Sequence, residues 1–329
     1  MFLLLIVLCI SWGLTGWLRR YALSKSLMDV PNARSSHSIP TPRGGGVSIV
    51  VTFLIVLAFS NLWLFFIAGF FVALIGWVDD HGHIKSSIRL LVHMVSSVII
   101  VYSIDGLPTF NVFDFEADLG IYGSILAVLA LVWILNLYNF MDGIDGIAGI
   151  EAITSTVSAG LILWFVFERY AQAELHFYLA TASLGFLLWN WPPAKIFMGD
   201  AGSGFLGLML GALMLYSMTY EKEMLWIWLI LLAVFIVDAT YTLFRRLFRG
   251  DKVYEAHRSH AYQFASRKYA NHKSVTLSVL FINLFWLSPW AVFVAIDLVD
   301  GLLGLIFAYM PIIWLAWYFK AGKLESFNK

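Results

Sequence analysis

Residues 225–237 read LWIWLILLAVFIV, thirteen apolar side chains in succession with no polar residue among them. A strand of a closed membrane barrel alternates apolar and polar positions over about ten residues. A continuous run is therefore a buried or lipid-facing helix. A helix that crosses a bilayer needs roughly 20 mostly apolar residues, at about 1.5 Å each across about 30 Å of hydrocarbon. By that measure eleven segments qualify, at about 1–18, 46–60, 62–78, 88–104, 119–138, 147–167, 175–191, 203–219, 224–243, 275–296 and 302–319. The second and third are separated by little more than Ser60 and Asn61, which predicts a tight helical hairpin. The expected fold is an all-α integral membrane protein of about eleven transmembrane helices, a single polytopic domain over residues 1–329.

Composition agrees. The 329 residues are 60% hydrophobic, 17% aromatic and 13% charged, against about 45–50% apolar and about 25% charged in soluble domains. That excludes a cytosolic enzyme, a disordered tail and a nucleic-acid module. Twenty-one Lys+Arg balance 21 Asp+Glu, so net charge points to no polyanionic partner. The single Cys9 excludes a disulfide framework and a cysteine zinc site; its expected role is packing. Trp12 and Trp17 interrupt the first segment, and Arg19 and Arg20 follow it, as in an anchor rather than a signal peptide.

Orientation follows from the Lys/Arg bias. With eleven crossings, one side holds residues 19–45, 79–87, 139–146, 192–202, 244–274 and the C-terminus. Of the 21 basic residues, only Arg169 and Lys222 fall on the other side. This predicts an outside N-terminus, a cytoplasmic C-terminus and a cytoplasmic active face built from those five loops. No internal repeat or low-complexity tract is evident.

Ionisable groups at a membrane border are costly and mark candidate sites. Five clusters stand on the predicted cytoplasmic side. The first runs from Asp29 through Arg34 and His37 to Arg43 and Gly44–Gly46. Exposed glycine N–H groups beside basic residues suit a phosphate, and a basic lipid-binding loop fits equally well. The second is Asp79-Asp80, an adjacent carboxylate pair that needs a cation nearby to stay ionised. The third places Asn136, Asn139, Asp142 and Asp145 at intervals of three, an oxygen-rich stripe for a hard cation or sugar hydroxyls. The fourth sets Lys195 and Asp200 among glycines, with Asp200 read as a metal ligand, Lys195 as a phosphate contact, and Asp200 or Ser203 alternatively as a plain N-cap. The fifth, residues 245–273, carries His257, Arg258, His260 and Gln263. Without a cysteine or a fixed third ligand it suits a pyrophosphate better than zinc. Asp238, inside the ninth span, reads equally as structural or functional.

Carboxylates at 79, 80, 142, 145 and 200 with basic residues at 34, 43, 195, 245, 246, 257, 258 and 260 fit phosphoryl transfer, with Mg²⁺ shared between protein and substrate phosphates. The rivals are a polyprenyl-lipid transporter or flippase, a CDP-alcohol phosphotransferase and a non-catalytic scaffold. A transporter should carry repeats or broken helices near mid-membrane, whereas these charges gather at one face. The CDP-alcohol pattern fails because no Ala-Arg follows Asp142-Gly143 at the required distance.

The runs VDDHGHIKSSIRL, NLYNFMDGIDGIAG, KIFMGDAGSGFLG and EAHRSHAYQ, in this order, resemble the polyprenyl-phosphate N-acetylhexosamine-1-phosphate transferases. MDVPNARSSHSIPTPRGGG is similar to the first cytoplasmic loop of the O-antigen-initiating branch. The resemblance implies transfer of sugar-1-phosphate from a UDP-N-acetylhexosamine to undecaprenyl phosphate with release of UMP, at the cytoplasmic face of a bacterial inner membrane. It also implies Mg²⁺, or Mn²⁺ in its place. Asp79 and Asp80 would serve acid/base chemistry on the lipid phosphate and order the metal site. Asp200 would bind metal, and Asn139, Asp142 and Asp145 would form the nucleotide and metal side. His257 and His260 would contact the donor. Arg258 and Ser259 replace part of the consecutive-histidine form found in the muramoyl-peptide branch, which argues against a UDP-MurNAc-pentapeptide donor and leaves UDP-GlcNAc, UDP-GalNAc or a deoxy sugar such as FucNAc or QuiNAc. Direct attack by the lipid phosphate is the simpler route, with a covalent aspartyl intermediate as the alternative. A homodimer is compatible with this reading.

Overall fold

A computed structural model describes residues 2–31, 39–82, 84–113, 115–252 and 257–324. Its helices follow the apolar runs: α1 (Phe2–Ser24), α2 (Val47–Phe59), α3 (Trp63–His81), α4 (Ser86–Ser103), α5 (Gly120–Met141), α6 (Ile147–Phe165), α7 (Tyr170–Asn190) and α8 (Asp200–Met218). They continue as α9 (Met224–Leu231), α10 (Ala233–Phe248), α11 (Ala261–Tyr269), α12 (His272–Ile282), α13 (Ser288–Ala295) and α14 (Gly301–Tyr318). Small antiparallel ladders join β1 (Met28–Asp29) to β2 (Thr41–Pro42), and β3 (Phe110–Val112) to β4 (Phe115–Ala117).

Among the described residues, eight helical segments are long and apolar enough to cross a membrane. One of these is the continuous stretch His272–Ala295, which joins α12 to α13 through a π-helical turn at Asn283–Leu287. The pair α9 and α10 adds a ninth if it counts as one span. Two expected crossings fall short. α2 has 13 residues, about 20 Å at 1.5 Å per residue, and α7 carries Gln172, Glu174, His176, Thr181 and Ser183.

Several sequence borders also shift. Arg19 and Arg20 lie within α1 rather than in a loop beginning at 19, and Asp79 and Asp80 close α3 rather than opening one. The run 225–237 is broken at Leu232, where α9 and α10 meet at 71°. The long loop after α10 folds in part into α11.

The core is organised around α8, which packs on α2, α3, α5 and α9 and exposes almost nothing. Its small residues make this possible. A Cβ on Gly202 would come within 2.6 Å of the Gly46 Cα, and one on Gly76 within 2.7 Å of Ala201 backbone atoms. Close approach of backbones drives helix association where lipid tails are as apolar as the side chains. This contact also changes the reading of Gly44–Gly46. The N–H groups of Gly45 and Gly46 donate to the carbonyls of Phe197 and Met198, both at 2.9 Å, so they tie α2 to the start of α8 and do not form a phosphate cradle. At the opposite end of the bundle the β3–β4 hairpin is held by the Trp226 indole donating to the Asn111 carbonyl (2.7 Å) and by the Lys222–Glu116 ion pair (2.6 Å).

Candidate active site

At the end of the bundle where α3, α5 and α7 finish and α8 and α12 begin, a cavity of about 300 Å³ is lined by Asp29, Arg43, Asp80, Asn139, Asp142, Asp145, Asn190, Asp200, Gln263 and His272, among others. Five stretches, from Asp29 to His272, thus converge on one acidic hollow.

α8 sets its floor. The first turn of a helix leaves N–H groups without partners, and here an aspartate from another helix accepts them. Asp80 Oδ1 accepts from the Asp200 amide (3.1 Å) and Oδ2 from the Ala201 amide (3.3 Å). Gly199, at φ +80°, lets the carboxylate come this close, since a Cβ there would stand 2.7 Å from Asp80 Oδ2. The Arg43 guanidinium donates to the Asp80 carbonyl. Asp79 does not line the cavity. It accepts from the Ile84 amide (2.9 Å) and pairs with Arg89, which also reaches Asp200 Oδ2 at 3.2 Å. Arg89 is thus the bridge between the two carboxylates.

Asn139 Nδ2 donates to Asp200 Oδ1 (3.1 Å) and to Ser203 Oγ (2.9 Å), fixing the Asp200 rotamer. The expected stripe of four polar residues is only partly realised. Asn136 lies a turn deeper and donates to the Val132 carbonyl (2.7 Å), outside the cavity. Beyond Met141 the helix stops, and Asp142–Gly146 form a turn.

That turn is held at several points. The Tyr262 hydroxyl donates to the Phe140 carbonyl (3.0 Å), and a Cβ on Gly143 would overlap the same hydroxyl. Asp145 Oδ2 accepts from the Ala194 amide (3.0 Å), Asp145 Oδ1 stands 3.3 Å from His272 Nδ1, and the Thr276 hydroxyl donates to the Asp145 carbonyl (2.7 Å). Gly146, at φ +76°, donates to Asn190 Oδ1 (2.9 Å). The Asp142 carboxyl has no hydrogen-bond donor among the described residues. Burial first, then the charges of Asp200, Asp80 and Asp145, push it well above the usual carboxylate range. A carboxyl in this state gains from a cation. The donors are hard oxygens, as Mg²⁺ requires, and among the described residues no group of three His, Cys, Asp or Glu side chains is placed to hold a metal ion by itself. A cation here would complete its coordination with water and ligand phosphate, so the residues fit a shared Mg²⁺.

The histidine run contributes less directly than expected. His257, Arg258 and His260 do not line the cavity, whereas Gln263 does. His260 is buried with Nδ1 3.4 Å from Asp238 Oδ1. His257 lies against it with ring centroids 4.9 Å apart, and burial, then His260 and Arg246, push its pKa down to about 3. Asp238 caps α11, accepting from the Ala261 (2.8 Å) and Tyr262 (3.0 Å) amides, which aims Tyr262 and Gln263 at the 142–146 turn. Lys195 is exposed above the Trp189 ring (5.6 Å) and lies outside the cavity. Arg34 and His37 lie outside the described residues. His272 and Asn190 were not singled out from the sequence. Asn190 is a lone polar residue at a helix end and His272 one of the polar run 271–274; each becomes legible only from its partner.

Comparison with known proteins places the chain among membrane sugar-phosphate transferases. The family model described as Glycosyl transferase family 4 matches residues 62–218. The chain is 30% identical to an undecaprenyl-phosphate alpha-N-acetylglucosaminyl 1-phosphate transferase of Pasteurella multocida, over 92% of this chain and 90% of that protein. It is 29% identical to the transferase of the same name from Thermotoga maritima, over 84% and 85%. It is 27% identical to a probable undecaprenyl-phosphate N-acetylglucosaminyl 1-phosphate transferase of Bacillus subtilis, over 86% and 85%.

Proposed function

Since this chain belongs to the polyprenyl-phosphate N-acetylhexosamine-1-phosphate transferase family, we propose that it transfers N-acetylhexosamine-1-phosphate from a UDP-sugar to undecaprenyl phosphate and releases UMP. The observation that carries this is the meeting of Asp80, Asn139, Asp142 and Asp200 around one cavity at a single end of the bundle. Two anions must meet in this reaction. Their repulsion is the main obstacle, and fixed positive charge is the remedy.

Asp142 and Asp200 would hold Mg²⁺, which when bound neutralises the donor diphosphate and steadies the departing UMP. Asn139 keeps Asp200 turned toward the cavity, and Asp80 keeps the first turn of α8 in place. Asp145, grouped with the metal ligands on sequence, engages Ala194 and His272 instead. Arg43 and Arg89 stand beside the carboxylates as cationic neighbours for phosphate oxygens. Asp79, paired with Arg89 at the end of α3, would orient the lipid phosphate or take its proton. Direct attack on the donor phosphorus needs no further nucleophile.

In this reading α2 and α7 also cross the membrane, which gives eleven crossings, with the site end in the cytoplasm of a bacterial inner membrane. The first-loop motif favours the branch that starts O-antigen assembly, and the Arg258-Ser259 departure favours an unmodified or deoxy N-acetyl sugar over a muramoyl peptide. The test is to incubate purified protein with Mg²⁺, undecaprenyl phosphate and a panel of UDP-N-acetyl sugars. UMP from at least one donor, lost with EDTA, is expected. Absence of UMP from every donor would overturn the proposal.

A further inference from the structure

The 142–146 turn brings two carboxylates to the cavity wall, one without a hydrogen-bond donor among the described residues and one engaged by neighbouring elements. Asp142 has no hydrogen-bond donor among the described residues, and Asp145, three residues on, is held through both oxygens and its carbonyl. Two of those three contacts come from the first two turns of α12: His272 Nδ1 to Asp145 Oδ1 at 3.3 Å, and the Thr276 hydroxyl to the Asp145 carbonyl at 2.7 Å. His272 is mostly buried and lines the same cavity. A short turn transmits displacement along its backbone. If residue 145 moves, residue 142 moves with it.

We propose that His272 is a positioning residue of the transfer reaction. It holds Asp145 as a clamp, not a metal ligand, so that Asp142 alone of the pair faces Asp200. This rests on the function proposed above for the cavity but concerns a residue outside its motifs. The physical precedent is general: side chains that fix a ligand-bearing group cost about 10–100-fold in metal affinity or activity when removed. With Nδ1 3.3 Å from Asp145 Oδ1, an imidazole that carries its proton there would hold both the ring and the acid in place. Asp145 then acts through His272 and Asp142, and the three should behave as one unit.

The experiment uses the full-length protein in detergent and reads two signals. One is binding of Mn²⁺ alone, followed by the loss of its free EPR signal; the other is UMP release. His272→Ala is expected to weaken Mn²⁺ binding and lower kcat, each by about 10-fold or more, with the KM for the UDP-sugar changed far less. His272→Asn, which keeps an amide N–H near the place of Nδ1, should recover most of both. Asp145→Asn should match His272→Ala, and the double variant should be no worse than either single one, since contacting residues acting through one contact are not additive.

Wild-type behaviour of His272→Ala in both signals would overturn the proposal. So would losses that multiply in the double variant, the mark of Asp145 binding the ion by itself. If His272→Ala does not fold, His272→Leu against His272→Asn decides: loss with Leu and retention with Asn supports the clamp, and equal values refute it. Should wild type bind Mn²⁺ but yield no UMP, the assigned reaction fails while the Mn²⁺ signal still tests the clamp. Should it yield UMP without binding Mn²⁺, the metal assignment fails and kcat tests the clamp.

Discussion

Replacing Asp80 separates two jobs that its position allows. Its two oxygens accept the amides of Asp200 and Ala201 at 3.1 and 3.3 Å, and its residue is 6% exposed. Asp80→Ala removes both acceptors. Loss of a helix cap costs about 1–2 kcal/mol, which is a factor of about 5–30 in the opening of the first turn of α8. Asp80→Asn keeps one oxygen acceptor in the same place. Asn caps about as well as Asp, and what goes is the charge opposite the helix dipole, about 0.3–1 kcal/mol. Hydrogen exchange should therefore quicken at least fivefold at both the Asp200 and Ala201 amides in the Ala variant, and by less than about fivefold in the Asn variant at the one amide its oxygen still accepts. UMP release should follow the same order, with Asn well above Ala, because Asp200 is carried on that turn. Unchanged exchange in Asp80→Ala would refute the capping argument. If both variants are equally inactive while Asn keeps the amides protected, Asp80 itself handles the proton.

Other outcomes follow from close contacts and charge. Gly202→Ala places a Cβ 2.6 Å from the Gly46 Cα, and the overpacking should cost about 1–3 kcal/mol, read as an earlier thermal melt in detergent. Gly143→Ala collides with the Tyr262 hydroxyl and should lower UMP release at least tenfold, about 1.4 kcal/mol in barrier; adding Tyr262→Phe should restore part of it. Asp142 holds its proton more tightly than an ordinary carboxyl because of burial and its acidic neighbours. Metal binding needs the deprotonated form. As pH falls through this raised value the proton displaces the ion, and the Mg²⁺ needed for half-maximal UMP release should rise; a requirement that is flat with pH would count against Asp142 as ligand.

Much of the fold can be read from the sequence because apolar runs set helix length in a membrane. The borders of α2, α3, α4, α8 and α14 fall within a few residues of the hydropathy boundaries. The carboxylates at 80, 142, 145 and 200 were legible for the converse reason: a charge at a membrane border needs a cause. Three features were hidden. The break at Leu232 falls in LWIWLILLAVFIV, which holds no Gly or Pro to mark it. Arg89 and His272 gain meaning only from partners far along the chain, Asp200 and Asp145. Asn136 followed the helical spacing of Asn139, yet the spacing could not show that the cavity begins one turn later.

The central claim is that the bond broken lies between the two phosphates of the donor. A UDP-N-acetylhexosamine labelled at its β-phosphorus, incubated with the purified protein, Mg²⁺ and undecaprenyl phosphate, tests it directly. The account predicts label and sugar together in the lipid phase and unlabelled UMP in the water. Label left in the water as UDP, with the sugar alone on the lipid, would contradict it.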